Sequence, residues 1–245
     1  MSFINYAHRG ASEYFPENTL RSFYAGLEMR ANGIETDIQC TKDGVLVLYH
    51  DDTLQRITGD PRAISDCTYS ELLQMDFGCW RGTEYAGERI PMLDTFLLHF
   101  GRRGLRLALE IKQHGIEAAC IDMVNKYNCR GDITFTSFSW DIVENIRKLD
   151  PSFDTGFLTD YITAEILDQL KCAGVRQICP RIDTVTPAEM RLASSVGISV
   201  RFWGIRNEQD MYRAIALGGE GMTCNFPDKL TAALHCRTVY AIQKA

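Results

Sequence analysis

Short apolar or alternating runs recur along the chain, and most are followed by a stretch with helical spacing. Strand-like runs lie at 3–8 (FINYAH), 34–40 (IETDIQC), 45–50 (VLVLYH), 106–112 (RLALEIK), 132–137 (DITFTS), 155–159 (TGFLT), 176–181 (RQICPR), 198–204 (ISVRFWG) and 220–225 (EGMTCN). Helical spacing falls near 19–31, 93–101, 115–127, 139–149, 162–172, 187–195, 207–217 and 228–242. This alternation predicts an α/β chain with a parallel sheet covered by helices. Nine strands exceed a closed barrel of eight. Only TKDG (41–44) separates the second and third, too short for a parallel crossover. Those two are expected to pair as a hairpin, one of them being an addition to the β/α alternation or the count being one too high. The hairpin brings His50 back beside Glu35 or Asp37, depending on register.

Residues 51–92 break the rhythm. They hold DTLQRITGDP, the aromatics Tyr69, Phe77, Trp80 and Tyr85, several glycines and a helix-like YSELLQM, with no clear strand. An insertion of about forty residues within a barrel is usually functional, so this segment is expected to form a lobe over the mouth. A length of 245 residues suits one such domain spanning 1–245.

Chemistry concentrates where strands end. His8-Arg9-Gly10 joins a proton switch, a planar fork for phosphate oxygens and a glycine that lets the backbone pass close to a ligand. Alone, a histidine at a strand end is more often structural. Glu35 and Asp37 alternate onto one face of a strand flanked by Ile34 and Ile38. Such a pair is costly to bury uncompensated and suggests a hard divalent cation, although two solvent-facing charges are the plainer alternative. Glu110 and Lys112 share a face at the end of RLALEIK, where a β/α barrel builds its site; by themselves they make only a local ion pair. His50 is followed by Asp51, which either orients the imidazole or merely opens a turn. Together, Glu35, Asp37 and Glu110, one divalent cation, a phosphodiester, Arg9 and Lys112 balance in charge, which points to phosphodiester chemistry.

The bulk properties narrow the partners. A net charge of -6 and a pI near 5.4 lack the basic footprint of a nucleic-acid binder. Nine cysteines at irregular spacing contain no CxxC pair, so they read as buried free thiols of a reducing cytosol, not zinc ligands or disulfides. The opening MSFINYAHRG lacks a basic stretch followed by an apolar one, so no signal peptide is expected, and no apolar run reaches the roughly 18 residues a membrane helix needs. The expected location is the cytoplasm, without membrane insertion.

In order, HRG, PENT, ExD, HD and ExK occur within HRGASEYFPENTLRSFYAGLEMRANGIETDIQCTKDGVLVLYHDDTLQRITG (8–59), IPMLDTFL (90–97) and LALEIK (107–112). The chain thereby resembles the glycerophosphodiester phosphodiesterase family, with fainter likeness in TFTSF, RFW and GMTCNFPD. The resemblance implies a TIM barrel with a small inserted lobe, and hydrolysis of glycerophosphodiesters to an alcohol and sn-glycerol 3-phosphate. It implies His8 and His50 as the acid/base pair, and Glu35, Asp37 and Glu110 as ligands of one Mg2+ or Ca2+. It also implies Arg9 and Lys112 near the phosphate, Glu17 and Asn18 shaping the site beside His8, and Trp203 near the substrate mouth. One departure bears on the leaving group: the family often ends its last strand with Thr-Asp, where this chain has Cys224-Asn225. Rival expectations are a phospholipase-D-like enzyme forming a cyclic phosphate from lysophospholipids or sphingolipids, and a catalytically dead phosphodiester-binding barrel. The intact histidines and carboxylates argue against the second.

Overall fold

The computed structural model describes residues 3–129 and 133–242, with side chains described to residue 236. Strands β1 (Ile4–His8), β2 (Gly33–Cys40), β4 (Arg106–Ile111), β5 (Ile133–Ser137), β6 (Asp154–Thr159), β7 (Gln177–Pro180), β8 (Ser199–Ile205) and β9 (Gly221–Cys224) pair in parallel around a circle. Pairing of β1 with both β9 and β2 closes it, which makes a TIM barrel. The ninth strand, β3 (Leu46–Leu48), is the addition anticipated from the short TKDG link. It runs antiparallel to β2, with Ile38 opposite Leu48. Residue 132, the expected start of β5, lies outside the described residues.

Helices follow the strands as the spacing predicts: α1 (Leu20–Glu28), then α4 (Leu93–Phe100), α5 (Glu117–Tyr127), α6 (Trp140–Leu149), α7 (Ala164–Ala173), α8 (Pro187–Ser195), α9 (Glu208–Leu217) and α10 (Pro227–Ile242). The helix expected over 19–31 is shorter at both ends. Thr19 is its N-cap, accepting from the Ser22 amide, and Arg30 turns into the left-handed region at φ 63. The core divides between strands and helices. Phe23 of α1 packs edge-on against Phe96 and Phe100 of α4, centroids 4.9 and 5.8 Å apart, over Ile34, Ile38 and Leu109. A second cluster around Ile178, Phe202, Met211 and Leu230 closes the other side.

Between β3 and β4, residues 51–92 contain α2 (Gln55–Thr58), α3 (Tyr69–Leu72) and no strand. Their side chains make a small core of Leu54, Ile57, Ile64, Cys67, Leu72, Phe77 and Ile90 around Val47 and Tyr49 of the hairpin. The lobe is thus attached to the barrel through the added strand. Among the described residues no cysteine is in a disulfide. The expectation of burial is corrected for Cys79, Cys172 and Cys236, which are exposed, and for Cys40, which is half-buried. No described helix is long and apolar enough to cross a membrane.

Candidate active site

His8 is the last residue of β1, and the parallel register puts it opposite Glu35 of β2. Pairing of Ala7 with Cys224 on the other side puts Asn225 next to it. His8 Nδ1 lies 2.5 Å from Asn225 Oδ1, and Nε2 lies 3.7 Å from Glu35 Oε2. With the amide oxygen accepting, Nδ1 carries the proton and the Nε2 lone pair faces the carboxylates. Burial first, then the Arg9 cation, push the ring down to about 3. Its side chain keeps 30% of its surface open at the mouth, and the ring is neutral at physiological pH.

The chain then leaves the strand through two strained positions. Arg9 and Asn18 both hold left-handed backbone, at φ 55 and 54, where a non-glycine residue is uncommon. Gly10 has φ 85, and a Cβ there would run into Ser22. The turn is locked by the Asn18 amide and the Ser22 hydroxyl, both donating to the Arg9 carbonyl at 3.0 Å. Its effect is to aim Arg9 inward: Nη1 donates to Glu17 Oε1 at 2.9 Å, and Nε is ion-paired to Asp37 Oδ2 at 3.1 Å. Asn18 donates to the same Asp37 oxygen at 3.0 Å while accepting from Thr36 at 2.7 Å. The PENT element is therefore a scaffold for Asp37 and Arg9.

Glu35, Asp37 and Glu110 converge as alternation predicts. Their carboxylate oxygens lie within 4.8 Å of one another, and their residues are 4%, 0% and 8% exposed. Burial and then the neighbouring Asp37 and Glu110 charges raise the Glu35 carboxyl well above its usual range. Burial and then Asp37 raise Glu110 too, against Lys112, whose Nζ donates to Glu110 Oε1 at 2.8 Å. Burial opposes the Asp37 carboxylate as well, but Arg9, then His50 and Lys112, hold its pKa below the ordinary value. Glu35 Oε2 and Asp37 Oδ1 are buried without a hydrogen-bond partner. Clustered hard oxygen donors with unsatisfied lone pairs fit a divalent cation of the Mg2+ or Ca2+ kind. When bound, such an ion would offset two of the triad's three negative charges and polarise a phosphoryl oxygen.

The Tyr49 amide donates to the Asp37 carbonyl at 3.0 Å, which sets Tyr49 opposite Asp37 and brings His50 back alongside β2, where its charge acts on Asp37. Its Nδ1 lies 2.7 Å from Asp51 Oδ1, which makes Asp51 an orienting group and not merely the start of a turn. Trp203 of β8 lies on another part of the rim. Its Nε1 donates to the Thr159 carbonyl at 3.0 Å, and Phe138 stacks edge-on against it at 5.1 Å.

Three neighbours of these residues escape sequence reasoning. Arg56 of α2 donates to Glu17 and Asp51 together, at 2.6 to 3.1 Å. Asn225 was visible as a departure from the family, but its contact with His8 was not. Arg201, 1% exposed, lies inside the barrel, its guanidinium 5.2 Å from the Tyr6 ring centroid and its Nε donating to Gln177 Oε1 at 3.1 Å. The available signal was a charge at an alternate position of an apolar strand. The charge count read from sequence lacked Glu17, Asp51, Arg56 and Arg201, two acids and two bases whose formal charges cancel.

Residues 8–229 match the glycerophosphoryl diester phosphodiesterase family. A glycerophosphodiester phosphodiesterase from Caldanaerobacter subterraneus subsp. tengcongensis is 30% identical over 235 residues, covering 94% of this chain and 97% of that protein. A glycerophosphodiester phosphodiesterase from Bacillus subtilis is 29% identical, covering 92% and 84%. An Oleispira antarctica phosphodiesterase, solved in complex with the product sn-glycerol-3-phosphate, superposes with a TM-score of 0.88 at 26% identity, covering 95% of this chain and 96% of that one. This chain belongs to the glycerophosphoryl diester phosphodiesterase family and is a phosphoric diester hydrolase.

Proposed function

We propose that the protein hydrolyses glycerophosphodiesters to an alcohol and sn-glycerol 3-phosphate, with His8 and His50 sharing the proton transfers and Glu35, Asp37 and Glu110 holding one Mg2+ or Ca2+. The observation that carries this reading is the buried triad, closed within 4.8 Å and flanked by two histidines. His8, neutral and with Nε2 toward the triad, starts as the base. His50, oriented by Asp51 at 2.7 Å, is placed to deliver a proton to the departing alkoxide. An alkoxide leaves poorly unless protonated, and a hydroxyl attacks poorly unless its proton is removed. The attacking hydroxyl belongs to water or to the glycerol itself. Arg9 and Lys112, both already turned toward Asp37 at 3.1 and 3.9 Å, are placed to steady charge on the non-bridging phosphoryl oxygens. Glu17 and Asn18 hold Arg9 and Asp37 in position, and Trp203 supports the substrate mouth.

Glycerophosphocholine turnover, measured with added Mg2+ or Ca2+ and after chelation, tests the reading. Activity is expected to vanish in excess chelator and return with the ion. Glu110→Gln is expected to weaken ion binding, measured directly by calorimetry, and to cripple turnover. Full activity in excess chelator would sink it. Analysis for a cyclic phosphate product separates direct attack by water from attack by the glycerol hydroxyl.

A further inference from the structure

Arg56 belongs to the lobe, not the barrel, yet its guanidinium reaches into the mouth. Nη1 and Nη2 donate to Glu17 Oε2 and Oε1 at 2.9 and 2.8 Å. Nε and Nη2 donate to Asp51 Oδ2 and Oδ1 at 2.6 and 3.1 Å. Each carboxylate is held by two nitrogens, an arrangement the planar fork of arginine permits and a lysine ammonium does not. The far side of the guanidinium rests on Trp80, 5.3 Å from the ring centroid, within the range of a cation–π contact.

Both carboxylates have a second partner. Glu17 accepts from Arg9 at 2.9 Å, and Asp51 engages His50 Nδ1 at 2.7 Å. A continuous chain thus runs Arg9, Glu17, Arg56, Asp51, His50 across the mouth. It joins the arginine aimed at the phosphate to the second histidine. Glu17, His50 and Asp51 also offer ligand atoms within 4.8 Å of one another. Here the positive charge between the two carboxylates is the guanidinium.

We infer that Arg56 is a positioning residue of the hydrolytic site. By clamping Asp51 it fixes the imidazole of His50 at the angle that delivers a proton to the leaving alcohol. By clamping Glu17 it keeps that histidine in register with Arg9. Loss of the fork leaves two carboxylates free to repel, and His50 tethered only by the residue next to it. The inference rests on His50 acting as the general acid.

A leaving-group comparison tests it. Arg56→Ala, Arg56→Lys and His50→Ala are assayed on glycerophosphocholine, whose alcohol needs protonation, and on a nitrophenyl glycerophosphodiester, whose phenolate does not. Arg56→Ala is expected to lower kcat on glycerophosphocholine by roughly 10–100-fold, the range typical of residues that orient a reacting group through another. On the nitrophenyl diester the loss is expected to be much smaller. Arg56→Lys, which keeps the charge and the fold but not the fork, is expected to show the same selectivity at lower amplitude. Asp51→Asn combined with either variant is expected to cost about as much as the worse single change, since both act through His50. A general packing defect lowers both substrates alike, and that outcome overturns the inference. So does unchanged turnover of glycerophosphocholine by both Arg56 variants. If His50→Ala itself loses both substrates equally, the acid role of His50 falls and this inference with it. If His50→Ala discriminates and the Arg56 variants do not, only the Arg56 inference falls.

Discussion

The two histidines at the mouth are held by different parts of the molecule. His8 ends a central barrel strand, and its partners follow from register: Glu35 across one pairing and Asn225 across the other. His50 lies beyond the added antiparallel strand, and its partner Asp51 is fixed by a lobe residue, Arg56. The barrel gives its histidine a neutral amide at Nδ1. The lobe gives its histidine a carboxylate there, and the two rings are about equally open, at 30% and 32% of their side-chain surface. Either partner fixes how the ring is aimed and which nitrogen it presents to the site. Two histidines aimed by different parts of the fold can each be set for its own proton transfer.

The largest effect expected from breaking this contrast is loss of either ring. His8→Ala is expected to cost roughly 10²–10⁴ in rate on glycerophosphocholine and on a nitrophenyl diester alike, since both need the attacking hydroxyl activated. His50→Ala is expected to show that loss on the first substrate only. Equal sensitivity of His8→Ala and His50→Ala to the leaving group, in steady-state assays of both, contradicts the division of labour.

A smaller effect comes from making the two environments alike. Asn225→Asp sets a carboxylate against His8 Nδ1, as Asp51 is set against His50. The charge favours the imidazolium, so His8 stays protonated to higher pH. The acidic limb of the kcat/KM profile is expected to move upward, with the plateau changing by less than about tenfold, well under the loss of the ring itself. Asn225→Leu, which can neither donate nor accept, is expected to lower the plateau by freeing the tautomer. An acidic limb that stays fixed in Asn225→Asp means that His8 does not govern it.

The same division explains what could be read in the sequence. Alternation along a strand is local, so the shared face of Glu35 and Asp37, and the place of Glu110 and Lys112 at a strand end, were legible from a few residues each. The TKDG link was too short for anything but a hairpin, which made the surplus strand legible as well. Barrel closure is not local. Asn225 lies 217 residues from His8, and nothing near either residue encodes their contact. Arg56 was hidden for another reason: α2 has four residues, too few for a periodic pattern, and its fixed place comes from the carboxylates it binds. The register of β3 against β2, which sets Tyr49 opposite Asp37 and His50 just beyond it, needed the backbone. Arg201 sat in an apolar strand at an inward position, and its burial became intelligible only with Tyr6 and Gln177 around it.

The smallest expected effect is on stability, and it isolates the lobe side of the comparison. Burial opposes the Asp51 carboxylate, but hydrogen bonds from Arg56 and His50 outweigh it and hold the group down at about 2, against an ordinary 3.8. Its folded value lies below its unfolded one, so the unfolded chain binds the proton more tightly across the interval between them. The stabilisation is therefore fully present above the unfolded value and is lost as pH falls from about 4 toward 2. Asp51→Asn removes this titration. Urea unfolding of the parent protein is expected to show an extra decline in stability over that interval, relative to Asp51→Asn; above pH 5 the two should run parallel. Acid-range curves that are parallel throughout would mean that Asp51 is not ionised against Arg56 in the folded chain. The clamp would then lack the charge that makes the lobe histidine different from the barrel histidine.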